Sequence, residues 1–224
     1  IKKNVPSGTR IRQKEHRNTI EIPFEEEAAP INEQRARLSL GSLGGGNHFI
    51  ELNEGEDGSI YLVIHSGSRN LGKQIAEHYQ QVAADTLGNS VSRDLAYVEG
   101  DNMKDYLYDL SIAQKYAAFN RKTMVDVICR GMNWSVQSEF DTIHNYIDLD
   151  NMILRKGAIS AQADEIVIIP MNMRDGSLIC RGKGNPEWNY SGPHGAGRLM
   201  SRSQARKQVA LEDFQASMEG IWST

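Results

Sequence analysis

The stretch Gly41-Ser-Leu-Gly-Gly-Gly-Asn-His-Phe-Ile-Glu-Leu52 constrains this chain more than any other. Four glycines within residues 41–46 stop any helix and open the backbone to positive φ. The residues that follow predict a strand over about 47–52. Asn53 to Ser59 (NEGEDGS) is dense in turn formers, and Ile60 to His65 (IYLVIH) is an apolar, β-prone run. Together they predict a β-hairpin. A turn centred between residues 56 and 57 would set His48 directly opposite His65, with Cβ atoms about 5 Å apart on one face. That is within reach of one metal or of two adjacent ones. A slip of one residue would send the two imidazoles to opposite faces.

Two further glycine loops follow. Ser66-Gly-Ser-Arg-Asn-Leu-Gly72 leads into a predicted helix of about 72–87, and Gly192-Pro-His-Gly-Ala-Gly-Arg198 leads into a helix through the 200s. Glycine lets a backbone approach a ligand closely, and successive free N–H groups make anion-binding nests. Both LGGGNH and HGAGR could therefore cradle phosphate, with the planar fork of Arg198 beside the second. Plain tight turns use such loops as well. Between them, apolar spacing of three and four over 106–131 (Leu107, Leu110, Ala113, Tyr116, Ala117, Met124, Val125, Ile128) predicts an amphipathic helix. Asp141 to Asp148, Met152 to Ile159, Glu165 to Ile169 and Ser177 to Cys180 read as short strands. A shorter amphipathic stretch ends near Leu38, after the acidic run Glu25 to Glu27. The fold class is α+β.

Composition excludes more than it suggests. No apolar run approaches the roughly 18 residues of a membrane helix, and nothing at the N-terminus reads as a signal peptide. Two cysteines, Cys129 and Cys180, are too few for a disulfide framework, so a reducing cytoplasm is the expected setting. A net charge of −4 gives no global nucleic-acid signature, so any RNA contact must come from a local patch. One candidate is the segment 1–19, with Lys2, Lys3, Arg10, Arg12, Lys14 and Arg17: either a solvated surface stretch or a phosphate-contacting arm. With 224 residues, opening at Ile1 and ending at Thr224 just past a helix, the chain reads as one catalytic domain excerpted from a longer protein.

Of the six histidines (His16, His48, His65, His78, His144, His194), four sit at strand ends or strand–loop junctions beside Gly, Asn or Ser. Neutral imidazole suits Mn²⁺, Zn²⁺, Fe²⁺ and Ni²⁺ alike, so the count does not select a metal. His144 in HNYID could join His48 and His65, with Asp141 or Asp148 holding its other ring nitrogen. The alternative for the trio is a polar core cluster. His194, set among N–H donors, could attack phosphorus through an unprotonated nitrogen. These features point to metal-assisted phosphoryl or nucleotidyl transfer.

The blocks LGSLGGGNHFIEL, HSGSR, HNYI, RKGAISA, IPMN, GKGN and GPHGAGRLMSR, in this order, resemble the RtcB family of RNA ligases. The similarity runs from about residue 1 to the end, and GGGNHF…E and HGAGR are its most specific motifs. The resemblance implies an RtcB-like fold, with mixed and antiparallel sheets around a central loop-lined active site and helices packed outside. It implies GTP and two Mn²⁺ ions as cofactors, and His194 as the residue that becomes guanylylated. His48, His65 and His144 would be the metal ligands. GMP would pass to an RNA 3′-phosphate and be displaced by a 5′-hydroxyl, a 2′,3′-cyclic phosphate being opened first, in tRNA splicing or RNA repair. Guanosine contacts would fall to Asn47, His48, Phe49, Ile50 and Glu51, to His144 and Asn145, and to Gly195, Ala196, Gly197 and Arg198 around the nucleophile. Glu51 would accept from the guanine N1–H and N2–H₂ edge.

Departures from the family pattern point to a paralogous branch. The Asp-x-Gly-Cys segment that completes the metal site, and a C-terminal segment with a nucleotide-contacting lysine, are not in this sequence. Neither Cys129 nor Cys180 lies in the right context to replace the former. The usual IPGSMG loop reads Ile169-Pro-Met-Asn-Met-Arg-Asp-Gly-Ser177, so Pro170, Met171, Asn172, Met173 and Ser177 would line the nucleotide pocket with Arg174 and Asp175 altering its shape. Pro193 stands where a cysteine often precedes the reactive histidine, and the stretch from His65 to His144 is short. Two other functions compete. A metal-dependent RNA-end phosphatase or cyclic phosphodiesterase would use the three metal histidines but not His194, and a non-catalytic RNA-binding paralogue would ignore GTP and Mn²⁺. The family also often uses an archease-type activator.

Overall fold

The computed structural model describes Ile1 and residues 3–223, apart from the Arg202 side chain; Lys2 of the basic segment and Thr224 lie outside the described residues. The chain divides into two compact units, residues 1–137 and 138–224.

The first unit is built on three helices and a hairpin: α1 (Glu33–Ser39), β1 (Phe49–Glu54), β2 (Ile60–His65), α2 (Arg69–Leu87) and α3 (Gly100–Met132). α1 starts at Asn32, whose side chain accepts from the Arg35 N–H, an N-cap that satisfies an otherwise unpaired donor. α2 begins three residues earlier than its periodicity predicts, because Leu71 in its first turn is drawn fully into the core. That core joins Phe24, Leu40, Leu71, Ile75, Ile112 and Tyr116, with Phe24 edge-on to Tyr116 at 6.1 Å. A second cluster packs Ile50, Leu62 and Ile64 of the hairpin onto Val5, Met124 and Ile128. Apolar residues at every other position of both strands thus face α3.

α3 spans the predicted 106–131 and extends to Gly100. Its buried stripe holds Ala113, Tyr116, Met124 and Ile128 as expected, but also Asp109, Asn120 and Thr123, which an apolar pattern skips. Asp109 accepts the Ala28 and Ala29 N–H groups and the Tyr79 hydroxyl, tying the segment before α1 to α2 and α3. Neither reading of the basic segment describes Arg12. Its guanidinium donates to the Leu40 and Gly41 carbonyls (2.8 and 3.0 Å) and anchors the end of α1.

The second unit carries β3 (His144–Asp148), β4 (Ile153–Ser160), β5 (Ile166–Asn172), β6 (Gly176–Arg181) and β7 (Ser191–Pro193), then α4 (Arg202–Gln208) and α5 (Leu211–Ser217). β3, β4 and β7 form one antiparallel sheet with β4 central, and β5 pairs with β6 in a hairpin. The expected single helix through the 200s is two. Ser201 and Gln204 form a capping box that starts α4, and Val209 and Ala210 then turn extended (ψ 119° and 146°), breaking the helix before α5. The whole is α+β with small antiparallel sheets. Among the described residues no helix is long and apolar enough to cross a membrane.

Candidate functional site

In the first unit the hairpin forms, but its register differs by one residue from the expected one. His65 pairs with Phe49, not with His48. The one-residue difference follows from burial: this register turns Ile50, Leu62 and Ile64 together onto α3. The imidazoles meet nonetheless. His48 lies just before β1, outside the strand's alternation, and its ring stands 5.6 Å from that of His65 at 86°, with the Phe49 ring 5.2 Å from that of His65. Ile50, expected among the guanosine contacts, is half-buried and packs its side chain against the second core cluster. Glu51 shares the opposite face with Phe49 and receives the Asn53 side-chain amide at 3.0 Å.

Each histidine is held by a carbonyl. His48 Nδ1 lies 2.8 Å from the Leu43 carbonyl and His65 Nδ1 3.0 Å from that of Asn47. A carbonyl only accepts, so both rings carry a proton on Nδ1, which leaves Nε2 as the nitrogen able to coordinate a metal. Burial, then the neighbouring His65 and Arg69, push the His48 imidazole below its ordinary value, against the pull of Leu43, which keeps it neutral at pH 7. Arg69, at the HSGSR turn, donates to the Ser42 hydroxyl and the Gly8 carbonyl and so runs beneath the glycine loop. Gly44 (φ +90°) permits this: a Cβ there would collide with the Arg69 guanidinium and lie 2.6 Å from His48 Nδ1.

In the second unit the β-sheet brings His144 and His194 together. His144 pairs with Ile159 on β4, which pairs with Gly192 on β7, and His194 follows two residues later. Their ring centroids are 5.1 Å apart. Between the pairs His144–Ile159 and Tyr146–Arg155 the register shifts, with Asn145 (φ +57°) on β3 facing three residues, Lys156 to Ala158, on β4, so the extra residues of the bulge lie on β4; the Asn145 Oδ1 accepts the Gly157 N–H at 2.7 Å. Gly157 (φ +67°) in turn lies under His194, whose Cε1 and Nδ1 are 3.5 and 3.6 Å from where its Cβ would be. No hydrogen bond from the described residues ties the exposed His194 ring.

Arg155 is fully buried (1% exposed) at the centre of this sheet. It donates to the Asp148 carboxylate (3.2 Å), the Tyr146 and Ser191 hydroxyls and the Asn189 carbonyl, joining β3 to the approach of β7. Asp148, considered above as an orienting partner for His144, is instead engaged by Arg155 and Asn151. The structural roles of this guanidinium and of that of Arg69 are not legible in the sequence, which marks them only as parts of the RKGAISA and HSGSR blocks, and Asn145 is expected there as a guanosine contact rather than as a partner of Gly157. Arg155 falls in the strand expected over Met152 to Ile159, and nothing in that pattern marks it as buried.

The IPMN segment belongs to β5. Pro170 pairs with Ser177, and the Pro170 carbonyl accepts the Ala196 N–H at 3.3 Å, so this strand abuts the histidine loop. That bond withdraws one N–H of HGAGR from the proposed phosphate nest. Met171 sits in the bulge before Asn172, and Met173 is exposed. Arg174 and Asp175 pair with one another through both carboxylate oxygens (2.7 and 2.9 Å), and Asn172 caps both their N–H groups, closing the hairpin tip. The Arg174 and Asn172 side chains hold the Asp175 carboxyl down to about 2. Gly195, Gly197 and Arg198 follow His194 in open loop, Arg198 exposed. Cys129 and Cys180 are both free thiols.

Two imidazoles whose Nδ1–H groups are held by carbonyls, leaving Nε2 for coordination, are the donor type a borderline divalent cation takes, so His48 and His65 fit a metal. Among the described residues no group of three or more His, Cys, Asp or Glu side chains is gathered closely enough to hold one.

The comparisons with known proteins agree on a single family. The family model for tRNA-splicing ligase RtcB matches residues 1–222. The chain is 38% identical over 197 residues to an RNA-splicing ligase RtcB of Escherichia coli strain K12, covering 78% of this chain and 48% of that protein. It is 29% identical over 243 residues to the RNA-splicing ligase RtcB of Mycobacterium tuberculosis, covering 86% and 56%, and 26% identical over 254 residues to the tRNA-splicing ligase RtcB of Aeropyrum pernix, covering 86% and 51%. The chain thus spans about half the length of the curated relatives it matches. No solved structure matches it. With the family pattern running through the glycine loops, the paired histidines and both units, this chain belongs to the RtcB family.

Proposed function

We propose that this chain carries the guanylyl-transfer chemistry of an RNA ligase that joins 3′-phosphate or 2′,3′-cyclic phosphate ends to 5′-hydroxyl ends with GTP. The observation that carries the reading is the approach of His194, just past the end of β7, to His144 on β3, with ring centroids 5.1 Å apart, in a chain of the RtcB family. In this reading an unprotonated nitrogen of His194 attacks the α-phosphorus of GTP. A nitrogen–phosphorus bond forms, the bond to the β-phosphate oxygen breaks, and pyrophosphate leaves. An oxygen of the RNA 3′-phosphate then takes GMP from the histidine. The 5′-hydroxyl oxygen attacks the activated 3′-phosphorus, and GMP departs as the phosphodiester forms. A cyclic end is first opened by water.

The residues support the steps in distinct ways. Asn145 pins Gly157, which gives His194 a flat backbone floor and leaves the rest of its ring open to phosphorus. Pro170 holds the following Ala196 N–H, limiting where the loop can move. Each unit carries its own proposed nucleotide contacts, Asn47, Phe49 and Glu51 in the first and Asn172, Met173 and Ser177 in the second, with Arg198 the proposed phosphate fork. Manganese held by His48 and His65 would neutralise charge developing on the phosphates. Two free thiols support a reducing, cytoplasmic setting.

The test is covalent labelling of the protein with GTP radiolabelled at the α-phosphate, in Mn²⁺, beside His194→Ala. Acid-labile, alkali-stable label that vanishes in the variant is the expected result. A protein that binds Mn²⁺ but takes no label would favour a metal-dependent phosphoesterase, and one indifferent to both GTP and Mn²⁺ a binding paralogue.

A further inference from the structure

Asn120 stands within α3, fully buried (0% exposed), with every polar atom of its amide engaged. Its Oδ1 accepts the N–H groups of Gly41 (2.7 Å) and Ser42 (3.1 Å). Its Nδ2 faces three acceptors, the Ser42 carbonyl (3.2 Å), the Ser66 hydroxyl (3.1 Å) and the Gly67 carbonyl (3.0 Å). Donors lie on one side and acceptors on the other, so the amide has a single orientation.

These partners are not scattered. Gly41 and Ser42 open the loop that delivers His48, and Ser66 and Gly67 immediately follow His65. The bonds continue beyond the amide. The Ser66 hydroxyl, accepting from Asn120, donates to the Leu43 carbonyl at 2.8 Å, and that carbonyl accepts the Nδ1–H of His48 at 2.8 Å. One unbroken chain of hydrogen bonds therefore runs from α3 to the His48 ring. Helix stability does not ask for asparagine here: alanine or leucine would be better helix formers, and leucine would continue the stripe of Tyr116, Met124 and Ile128. A buried polar network of this kind tolerates one arrangement only, since each member left unpaired is costly.

We propose that Asn120 is a positioning residue for the metal-binding histidines. Its amide locks the two glycine loops to α3 so that His48 and His65 keep their protons on Nδ1 and hold their Nε2 lone pairs for a divalent cation. This rests on the reading of His48 and His65 as metal ligands.

The experiment uses Mn²⁺ alone, without GTP or RNA, and compares the native protein with Asn120→Ala, Ser66→Ala and His48→Ala. Mn²⁺ affinity is measured by calorimetry, and histidine tautomers by nitrogen NMR of the metal-free, histidine-labelled protein. Asn120→Ala is expected to weaken Mn²⁺ binding about tenfold or more, and to turn single Nδ1-protonated signals of both histidines into mixtures. Ser66→Ala, a milder change, is expected to move the His48 signals and to weaken Mn²⁺ binding in the same direction. Native affinity and native tautomers in a folded Asn120→Ala would overturn the proposal; should that variant not fold, the same result in Ser66→Ala overturns it. Unchanged Mn²⁺ affinity in His48→Ala would overturn the metal reading on which it rests. A protein with Asn120-dependent Mn²⁺ binding but no label at His194 would sink the ligase reading and leave this one standing.

Discussion

Asn145 and Gly157 meet across a β-bulge, the Asn145 side-chain oxygen accepting the Gly157 N–H at 2.7 Å, and His194 lies over that glycine. Both residues have positive φ, so each conformation depends on its residue type as well as on the bond. Asn145→Gly keeps the left-handed backbone without strain and removes only the bond. We expect it to lower unfolding free energy by about 1 kcal/mol, read by urea denaturation, and to reduce GMP labelling of His194 more than that loss of stability explains. Labelling at the native rate would mean that the bulge does not position His194.

Arg155 offers five N–H donors to four partners in two strands and a loop. Lysine has the charge but not the planar fork, so Arg155→Lys should fail to restore what Arg155→Met loses. Both variants are expected to cost about 3 kcal/mol or more in chemical denaturation, because they leave Asp148 and buried hydroxyls unpaired. A fully stable Arg155→Lys would show that charge alone holds this sheet.

Gly44 makes a prediction with two readouts. Gly44→Ala would place a methyl group against Arg69 and His48 Nδ1 on a backbone at φ +90°. The expected outcome is a lower melting temperature together with Mn²⁺ binding weakened by about tenfold or more, since the Leu43–His48 bond must give way. Tight Mn²⁺ binding in this variant would separate the loop from the metal.

Glu27 sets a pH dependence in the first unit. Both its carboxyl oxygens are buried without hydrogen-bond partners, and burial, then Asp109 and Glu33, push it up from 4.5 to about 8. The folded state therefore holds this proton more tightly than the unfolded chain does. Its favourable contribution is complete below about pH 4.5 and is lost as pH rises through about 8. Glu27→Gln, which mimics the protonated acid, should be more stable than the native protein at pH 9 and show a flatter stability profile between pH 5 and 8. Parallel profiles for the two proteins would contradict this assignment.

What was legible along the chain depended on the range of the interactions involved. Strand β2 falls at the predicted residues 60–65, because β-branched and aromatic side chains and the flanking turn formers act locally. The glycine loops and the histidines at their edges were visible for the same reason, and the family pattern made their roles nameable. The hairpin register was not. Its loop is long enough to accept either alignment, and packing of Ile50, Leu62 and Ile64 against α3 chose between them.

The polar residues that hold the candidate site together were the least visible. Asn120, Asp109 and Arg155 look like ordinary solvent-facing positions in their own segments, yet each is buried. Local chemistry along the chain is enough to specify the hairpin, the glycine loops and the long helix. The tautomer of each imidazole and the meeting of His144 with His194 depend on carbonyls, amides and strands brought in from distant positions. Hydrogen bonding and burial are properties of where a side chain ends up, and no neighbour in sequence can supply that.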